Sequence, residues 1–595
     1  MKKITMILAL FASILTLSAK TDKLNVILVM SDDMGYGDLS CNGNPYIQTP
    51  NIDKLSEGGY NFRNYHVGTT CTPTRASLMS SMHFNKVGCW HTISGRSIMD
   101  RQYKTIADVF HANGYATGMF GKWHLGDNYP YRPFDRGFET TLWFKSGGLT
   151  QMSDYWGNDY IDDTFLSGET PVPTKGYCTD VFFDATMSFI EKSMKEKRPF
   201  FAYVALNVAH GPHLVEDKYS EKYKGIKNAP PADFCGMADN MDENMGRLAD
   251  FLKKNGLDKN TIVIYTTDNG TGGGYNGGKG YNAGMQGKKT SNFDGGHRVP
   301  FIMNIPNRKG GDVPQLTSCM DVGPSLYEIC GIKEDVSKLE GMSFASLLDN
   351  PTKPFDRYLV VDTQRKSLME KDQTFAVLKG NWRYLDGDRL YDITNDVGQK
   401  KNIIKDFPEV AKELAAVYEK YWEYVSPEND RMHPLYLATP KDDCVVLSVH
   451  DKHLSCLVGQ EPLRTTRMAK TDGFWYVYVP EDGTYSFELY RWPLEAKLNI
   501  KDAAPAVAKR EGYNAPAKEA GGAITNIIGA EVIIGDVKGE ASISESANPA
   551  FIAVNNLKLK KGEYKLHANF ILSGNTAKAK AKNGGAANFV KITKK

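Results

Sequence analysis

The sequence has almost no net charge: 72 lysines and arginines stand against 70 acids in 595 residues, a formal +2. That near-cancellation excludes a nucleic-acid binder that works by bulk electrostatics. No two cysteines form a CxxC pair, which excludes a zinc ribbon and a thioredoxin-type redox motif. The nine cysteines are scattered at 41, 71, 89, 178, 235, 319, 330, 444 and 456. Their number is odd, so in an exported chain at least one is unpaired or put to another use. After Leu17 no apolar run is long enough to cross a bilayer, which excludes a membrane span. The glycine-rich stretch 270–287 lacks a GK[ST] ending, so it is no phosphate-cradling P-loop. It reads as a surface loop or as a rim over a site beside it. What is present, 41% hydrophobic and 24% charged residues, fits a folded chain. The length predicts about three to five structural units.

The N-terminus runs Met1-Lys2-Lys3, then apolar from Ile4 to Leu17, then Ser18-Ala19. A charged start, a short apolar run and small residues at its end predict a cleaved signal peptide over 1–19 and a periplasmic or secreted chain. No cysteine near the break offers a lipid anchor. Cleavage takes Lys2 and Lys3 out of the bases, leaving them equal in number to the acids.

Leu24–Met30 is a continuous apolar run, the pattern of a strand buried on both faces. Helices are expected over 105–113, 181–197 and 231–254, and strands over 115–120, 199–206 and 261–267. Strand alternating with helix predicts an α/β sheet covered on both sides, with ligands beyond the carboxyl ends of its strands. From about 354 to 431 the pattern is short strands with one helix, 408–424. After 432 come short β runs at 445–449, 475–479, 485–490, 532–534 and 564–571 separated by turn signals, the pattern of a sandwich-like module. A basic tail (Lys578, Lys580, Lys582, Lys591, Lys594, Lys595) reads as a solvated end or final strand rather than a polysaccharide contact.

The chemistry-bearing residues fall at predicted strand ends. Asp32-Asp33 follow the first strand and Asp268-Asn269 follow the strand 261–267. Lys122 and His124 follow a third strand, and His210 and His213 a fourth. Lys289 lies in a turn-rich segment, and Cys71-Thr72-Pro73-Thr74-Arg75, alone, reads as a loop. Carboxylates and an amide carbonyl are hard oxygen donors suited to Ca²⁺ or Mg²⁺. Lysines, an arginine and histidines around such a dication suit a tetrahedral oxyanion, sulfate or phosphate.

These segments resemble the type I, formylglycine-dependent sulfatases of the alkaline-phosphatase superfamily. The resemblance runs from about Lys23 to Asn402. It is carried by residues 25–28, 31–38, 49–53, 71–75, 121–126, 134–138, 267–270 and 295–300, with the Cys71-x-Pro73-x-Arg75 core as the most specific element. It implies an alkaline-phosphatase-like α/β fold: a large mixed sheet between helices, a smaller C-terminal α+β subdomain and an added all-β module. The domains implied are a catalytic domain over 20–353, the subdomain over 354–431 and the accessory module over 432–595.

The resemblance also implies the site. Cys71 becomes Cα-formylglycine, made by a maturation enzyme, and its hydrate attacks sulfur. Asp32, Asp33, Asp268, Asn269 and residue 71 hold one Ca²⁺. Arg75 steadies the formylglycine oxygen. His124 accepts the diol proton. Lys122 and Lys289 neutralise sulfate oxygens. His210 is the general acid, with Lys289 as its partner, and His213 lines the substrate pocket. Two departures stand out: Met79-Ser80-Ser81-Met82 replaces the usual Leu-Thr-Gly-Arg element, and Asp294 replaces the usual glutamate.

The substrate implied is a sulfated carbohydrate, a galactose or N-acetylgalactosamine sulfate in a glycan, with Trp156, Lys145 and Arg96 as candidate pocket residues. Two other readings stay open: a phosphodiesterase or phosphonate hydrolase of the same superfamily, and a non-catalytic glycan-binding protein.

Overall fold

The computed structural model describes residues 23–438, 444–465, 468–574 and 585–595. The expected signal peptide, 1–19, lies outside them, as do Lys578, Lys580 and Lys582. Among the described residues no helix is long and apolar enough to cross a membrane.

Ten strands build the central sheet: β1 (Asn25–Ser31), β2 (Tyr60–His66), β3 (Ala116–Lys122), β4 (Thr140–Phe144), β5 (Thr164–Ser167), β6 (Thr170–Pro173), β7 (Phe200–Ala205), β8 (Thr261–Thr267), β11 (Phe301–Asn304) and β12 (Gly311–Ser318). A small hairpin, β9 (Tyr275–Asn276) with β10 (Lys279–Gly280), stands apart. The sheet order is β12-β2-β11-β8-β1-β7-β3-β4-β5-β6. Its middle, β8-β1-β7-β3-β4, is parallel. The antiparallel strand β11 separates β8 from β2. Two reversals leave β2 running the same way as β8, so the chain leaves β1, β2, β3, β7 and β8 on one edge.

Alternation along β1 explains the layering. Val26, Leu28 and Met30 enter one core with Phe201 and Tyr203, while Ile27 and Val29 enter the other with Ala202 and Val204. A strand with no polar face needs helices on both sides. The long helices Cys178–Lys195 and Ala232–Lys254 pack in the second core.

Two elements escaped the sequence pattern for physical reasons. Strand β2 carries Asn61, Arg63, Asn64 and His66 and shows no apolar alternation, yet it is nearly wholly buried. Its polar groups are satisfied inside the fold; Asn61 bonds Ser56, His66 bonds Asn64 and His297, and Arg63 bonds Asp312. The helix Cys71–Ser80 has all ten residues buried, so it has no polar face to create a period.

Downstream, a four-stranded antiparallel sheet over 359–392 packs against the helix Pro408–Val425, with the Phe375 and Tyr418 rings stacked at 3.6 Å. Beyond Leu435, a five-stranded and a four-stranded sheet share one core containing Trp475, Val477, Phe487, Leu489 and Val590. Ile98 and Tyr131 from the α/β part enter that same core, so the sandwich is docked through hydrophobic packing. The final strand, Phe589–Lys594, pairs Lys591 and Lys594 with Glu488 and Glu481.

Candidate active site

The shared edge of β1, β2, β3, β7 and β8 gathers the predicted residues. Ser31 ends β1, and Asp32 and Asp33 follow it, buried. Asp268 and Asn269 follow β8 with no exposed surface. Lys122 ends β3, His124 lies two residues on, and His210 lies in the loop after β7. Cys71 opens its helix a few residues after β2, with extended Thr70 as the cap. Asp33 and His124 hold left-handed backbone conformations, φ 62° and 58°, costly for residues with a Cβ and typical of sites whose surroundings enforce them.

Ligand-type atoms of Asp32, Asp33, Cys71 and Asp268 all lie within 4.8 Å of one another. The cations interleave with them. Lys122 Nζ is 2.6 Å from Asp32 Oδ2, and Lys289 Nζ is 2.6 Å from Asp33 Oδ1 and 3.8 Å from Cys71 Sγ. Arg75 pairs with Asp268 at 2.8 Å and also donates to the Lys122 carbonyl. The Cys71 thiol lies 3.5 Å from Asp32 Oδ1. Gly272 lies where a Cβ would meet Asp33 Oδ2 at 2.9 Å, so the glycine-rich segment passes against the acid cluster.

Burial dominates the electrostatics. It pushes Asp32 up to about 7, aided by the Asp268 carboxylate and opposed by Lys122. Burial also opposes ionisation of Asp33, but Lys289, His210 and the Asn269 amide outweigh it and hold its pKa low. Asp268 is likewise held low, by Arg75 and Lys122 against burial. Burial and Asp32 push the Cys71 thiol up to about 12, so as a cysteine it is no thiolate nucleophile.

Each histidine's tautomer follows from its partner. His124 Nε2 is 2.8 Å from the Thr92 carbonyl, which can only accept. Nε2 therefore carries the hydrogen, and Nδ1, buried without a partner, keeps its lone pair. Burial and Lys122 drive His124 well below the ordinary histidine range. His210 Nδ1 is 2.7 Å from the Gly211 carbonyl, leaving its Nε2 as the acceptor, and burial brings its pKa down to about 4. His213 packs edge-on against Phe234 at 5.4 Å.

The donor set fits a hard dication. Asn269 Nδ2 is occupied by Asp33 Oδ1 and the Gly270 carbonyl, whereas Asn269 Oδ1 is buried without any partner. An orphaned amide oxygen beside three carboxylates is the chemistry of a Ca²⁺ or Mg²⁺ site. The charges of Asp32, Asp33 and Asp268 cancel those of Lys122, Lys289 and Arg75, so a dication would leave the pocket positive and receptive to an anion.

The sulfatase family pattern matches residues 24–332, just over half of the chain. The chain belongs to the sulfatase family. It is a sulfuric ester hydrolase of the type I, alkaline-phosphatase-superfamily group. Human arylsulfatase A is 28% identical over 350 residues, covering 54% of this chain and 67% of the relative. The N-acetylgalactosamine-6-O-sulfatase of Bacteroides thetaiotaomicron is 26% identical over 500 residues, covering 67% of this chain and 93% of the relative. Among solved structures, Ps i-CgsB superposes with a TM-score of 0.62 at 28% identity, covering 69% of this chain and 95% of that one. A second structure of Ps i-CgsB, in complex with k-i-k-neocarrahexaose, gives 0.61 at 27%, with 69% and 95% covered.

The pocket candidates of this sulfatase are not gathered at the acid cluster. Arg96 is buried and spends its donors on the carbonyls of Ser367, Asn429 and Arg431. Trp156 packs against Trp492 in the C-terminal part. Lys145 lines a separate cavity of about 420 Å³ with Trp143, Tyr155 and Tyr436. Sequence reasoning missed His450. It reaches the site from the β-sandwich, its ring 5.4 Å from that of His124. Nothing local marks it, because its place depends on how two distant segments dock.

Proposed function

We propose that this sulfatase removes sulfate from a carbohydrate, a galactose or N-acetylgalactosamine sulfate in a glycan. In this reading Cys71 is matured to Cα-formylglycine by a formylglycine-generating enzyme, and one Ca²⁺ per chain is held by Asp32, Asp33, Asp268, Asn269 and residue 71. The observation that carries it is the orphaned Asn269 Oδ1, on an amide bonded to Asp33, next to the cluster of Asp32, Asp33 and Asp268 around Cys71. The saccharide class is supported by the relatives, one named N-acetylgalactosamine-6-O-sulfatase and one solved with k-i-k-neocarrahexaose. Export through a leader over 1–19 belongs to the same proposal.

When present, the two groups supply positive charge at the sulfate and a hydrated aldehyde, whose first hydroxyl is the nucleophile and whose second allows sulfate to leave. The chain's own residues do the rest. Lys122 and Lys289 bind the sulfate oxygens as firmly protonated cations. Arg75 fixes the helix end on which residue 71 stands. His124 offers the unprotonated Nδ1 as the base for the second hydroxyl's proton. His210 rests neutral; an anionic ester beside it stabilises its imidazolium and lets Nε2 donate to the leaving alcohol, with Lys289 as its partner. His213 lines the substrate side.

The test is turnover by matured protein on sulfated galactose and N-acetylgalactosamine mono- and disaccharides, with 4-nitrophenyl sulfate and bis-4-nitrophenyl phosphate alongside. Sulfate release from a saccharide is expected. Hydrolysis of the phosphodiester alone would replace this reading with the phosphodiesterase one.

A further inference from the structure

His450 lies in the segment Ser448–Asp451, at the end of the β-sandwich strand Cys444–Ser448. Its neighbours are anchored on both sides. The Ser448 carbonyl accepts from Trp475 Nε1 at 2.6 Å, and Ser448 Oγ meets Ser153 Oγ at 2.7 Å. Asp451 accepts from Asn128 Nδ2 at 2.6 Å and from the Asp127 N–H at 3.3 Å. Ser153, Asn128 and Asp127 belong to the α/β part, so these bonds fix the segment across the junction. The His450 ring is the exception. The residue is 2% exposed, yet neither ring nitrogen has a hydrogen-bond partner.

The ring faces the catalytic edge. Its centroid is 5.4 Å from that of His124, whose own Nδ1 is also unpartnered, and Lys122 is close enough to disfavour its protonation. Two unsatisfied nitrogens on one buried ring cost about 1–3 kcal/mol each unless something fills the bond. A protein that fastens both flanks of a buried histidine and leaves both its ring nitrogens without a partner has prepared the ring for a ligand.

Resting on the sulfatase reading above, we propose that His450 is a substrate-binding residue, hydrogen-bonding a sugar hydroxyl next to the sulfated position. The chemistry selects a hydroxyl over a sulfate oxygen. Lys122, Lys289 and Arg75 already supply cationic charge, whereas a neutral imidazole offers one donor and one acceptor, matching a hydroxyl that both accepts and donates. The accessory sandwich thus forms one wall of the sugar site instead of acting as a separate binding module. A second C-terminal segment, 499–526, touches the loop after β7. Asn514 donates to the His213 carbonyl at 2.8 Å and accepts from the Val215 N–H at 2.8 Å, bracketing the loop that follows β7.

The experiment compares matured wild type, His450→Phe and His450→Gln on the saccharide sulfate that the wild type hydrolyses best. Phe keeps the ring volume and loses both hydrogen bonds; Gln keeps a donor and an acceptor. His450→Phe is expected to raise KM about tenfold or more with kcat within about threefold, and His450→Gln to stay within about threefold in both. Melting temperatures report folding, and if His450→Phe does not fold, His450→Leu, which likewise has neither donor nor acceptor, takes its place. A KM within about twofold of wild type in the folded variant, or a loss confined to kcat, overturns the assignment. A wild type that releases sulfate from no ester overturns the underlying reading instead.

Discussion

Arg75 donates through both Nε and Nη2, at 3.1 and 2.8 Å, to a single oxygen of Asp268, Oδ2. The other oxygen, Oδ1, accepts the Asp33 N–H at 3.2 Å and stays within the acid cluster. One carboxylate thus ties the Cys71 helix to the end of β8 with one oxygen and keeps the other within the acid cluster. Replacing Arg75 by Ala leaves Asp268 buried and unpaired, at an expected cost of about 3–5 kcal/mol. A fall in melting temperature is expected together with loss of turnover. Retained stability would show that the pair does not hold the helix.

Cys71→Ser and Cys71→Ala are expected to abolish saccharide desulfation while the melting temperature stays near wild type. The tryptic peptide containing residue 71 is expected to be lighter than its cysteine form by about 18 Da after maturation. Wild-type turnover by either variant would remove residue 71 from the mechanism.

Stripping the protein with a calcium chelator is expected to lower its melting temperature, and added Ca²⁺ to restore it. The size follows from linkage: about 2.7 kcal/mol when free ion is a hundred times Kd. Asn269→Ala, which removes the orphaned oxygen, is expected to raise the Ca²⁺ concentration needed for that recovery. Melting curves indifferent to chelator and calcium would sink the metal assignment.

Lys452 lies buried in the sandwich with no hydrogen-bond partner, its Nζ 4.6 Å from the Trp475 ring. Burial brings its pKa down from 10.5 to about 8. Between those values the unfolded chain holds a proton the folded chain has released, so folding stability rises with pH across that window. Below pH 8 the full cost of the buried charge is present. Lys452→Met is therefore expected to melt higher than wild type at pH 7, with the gain shrinking as pH rises toward 10.

Much of the fold was legible because burial leaves a pattern. The predicted strand 261–267 and the helix 231–254 match β8 and Ala232–Lys254 to within a residue. Continuous apolar strands admit only a covered sheet. Where buried polar side chains satisfy one another, as in β2, or where burial is complete, as in Cys71–Ser80, the period vanishes; sequence reasoning assigned no element to 60–66 and read 71–75 as a loop. Of the eight remaining cysteines, Cys41, Cys89, Cys178, Cys235, Cys319, Cys330 and Cys456 form no disulfide. Spacing alone had left their pairing open.

The sequence by itself determined the inventory: acids and cations at strand ends, a cysteine motif and a neutral total charge that concealed a local cluster. Strand ends of a parallel sheet meet at one edge, so those residues converge whatever the loops do. Only the tertiary structure decided which lone pairs stay unused. Asn269 Oδ1, His124 Nδ1 and the ring of His450 are distinguished by the partners they lack. A missing partner is set by every group packed around an atom, and His450 comes to the site from a segment more than three hundred residues from His124.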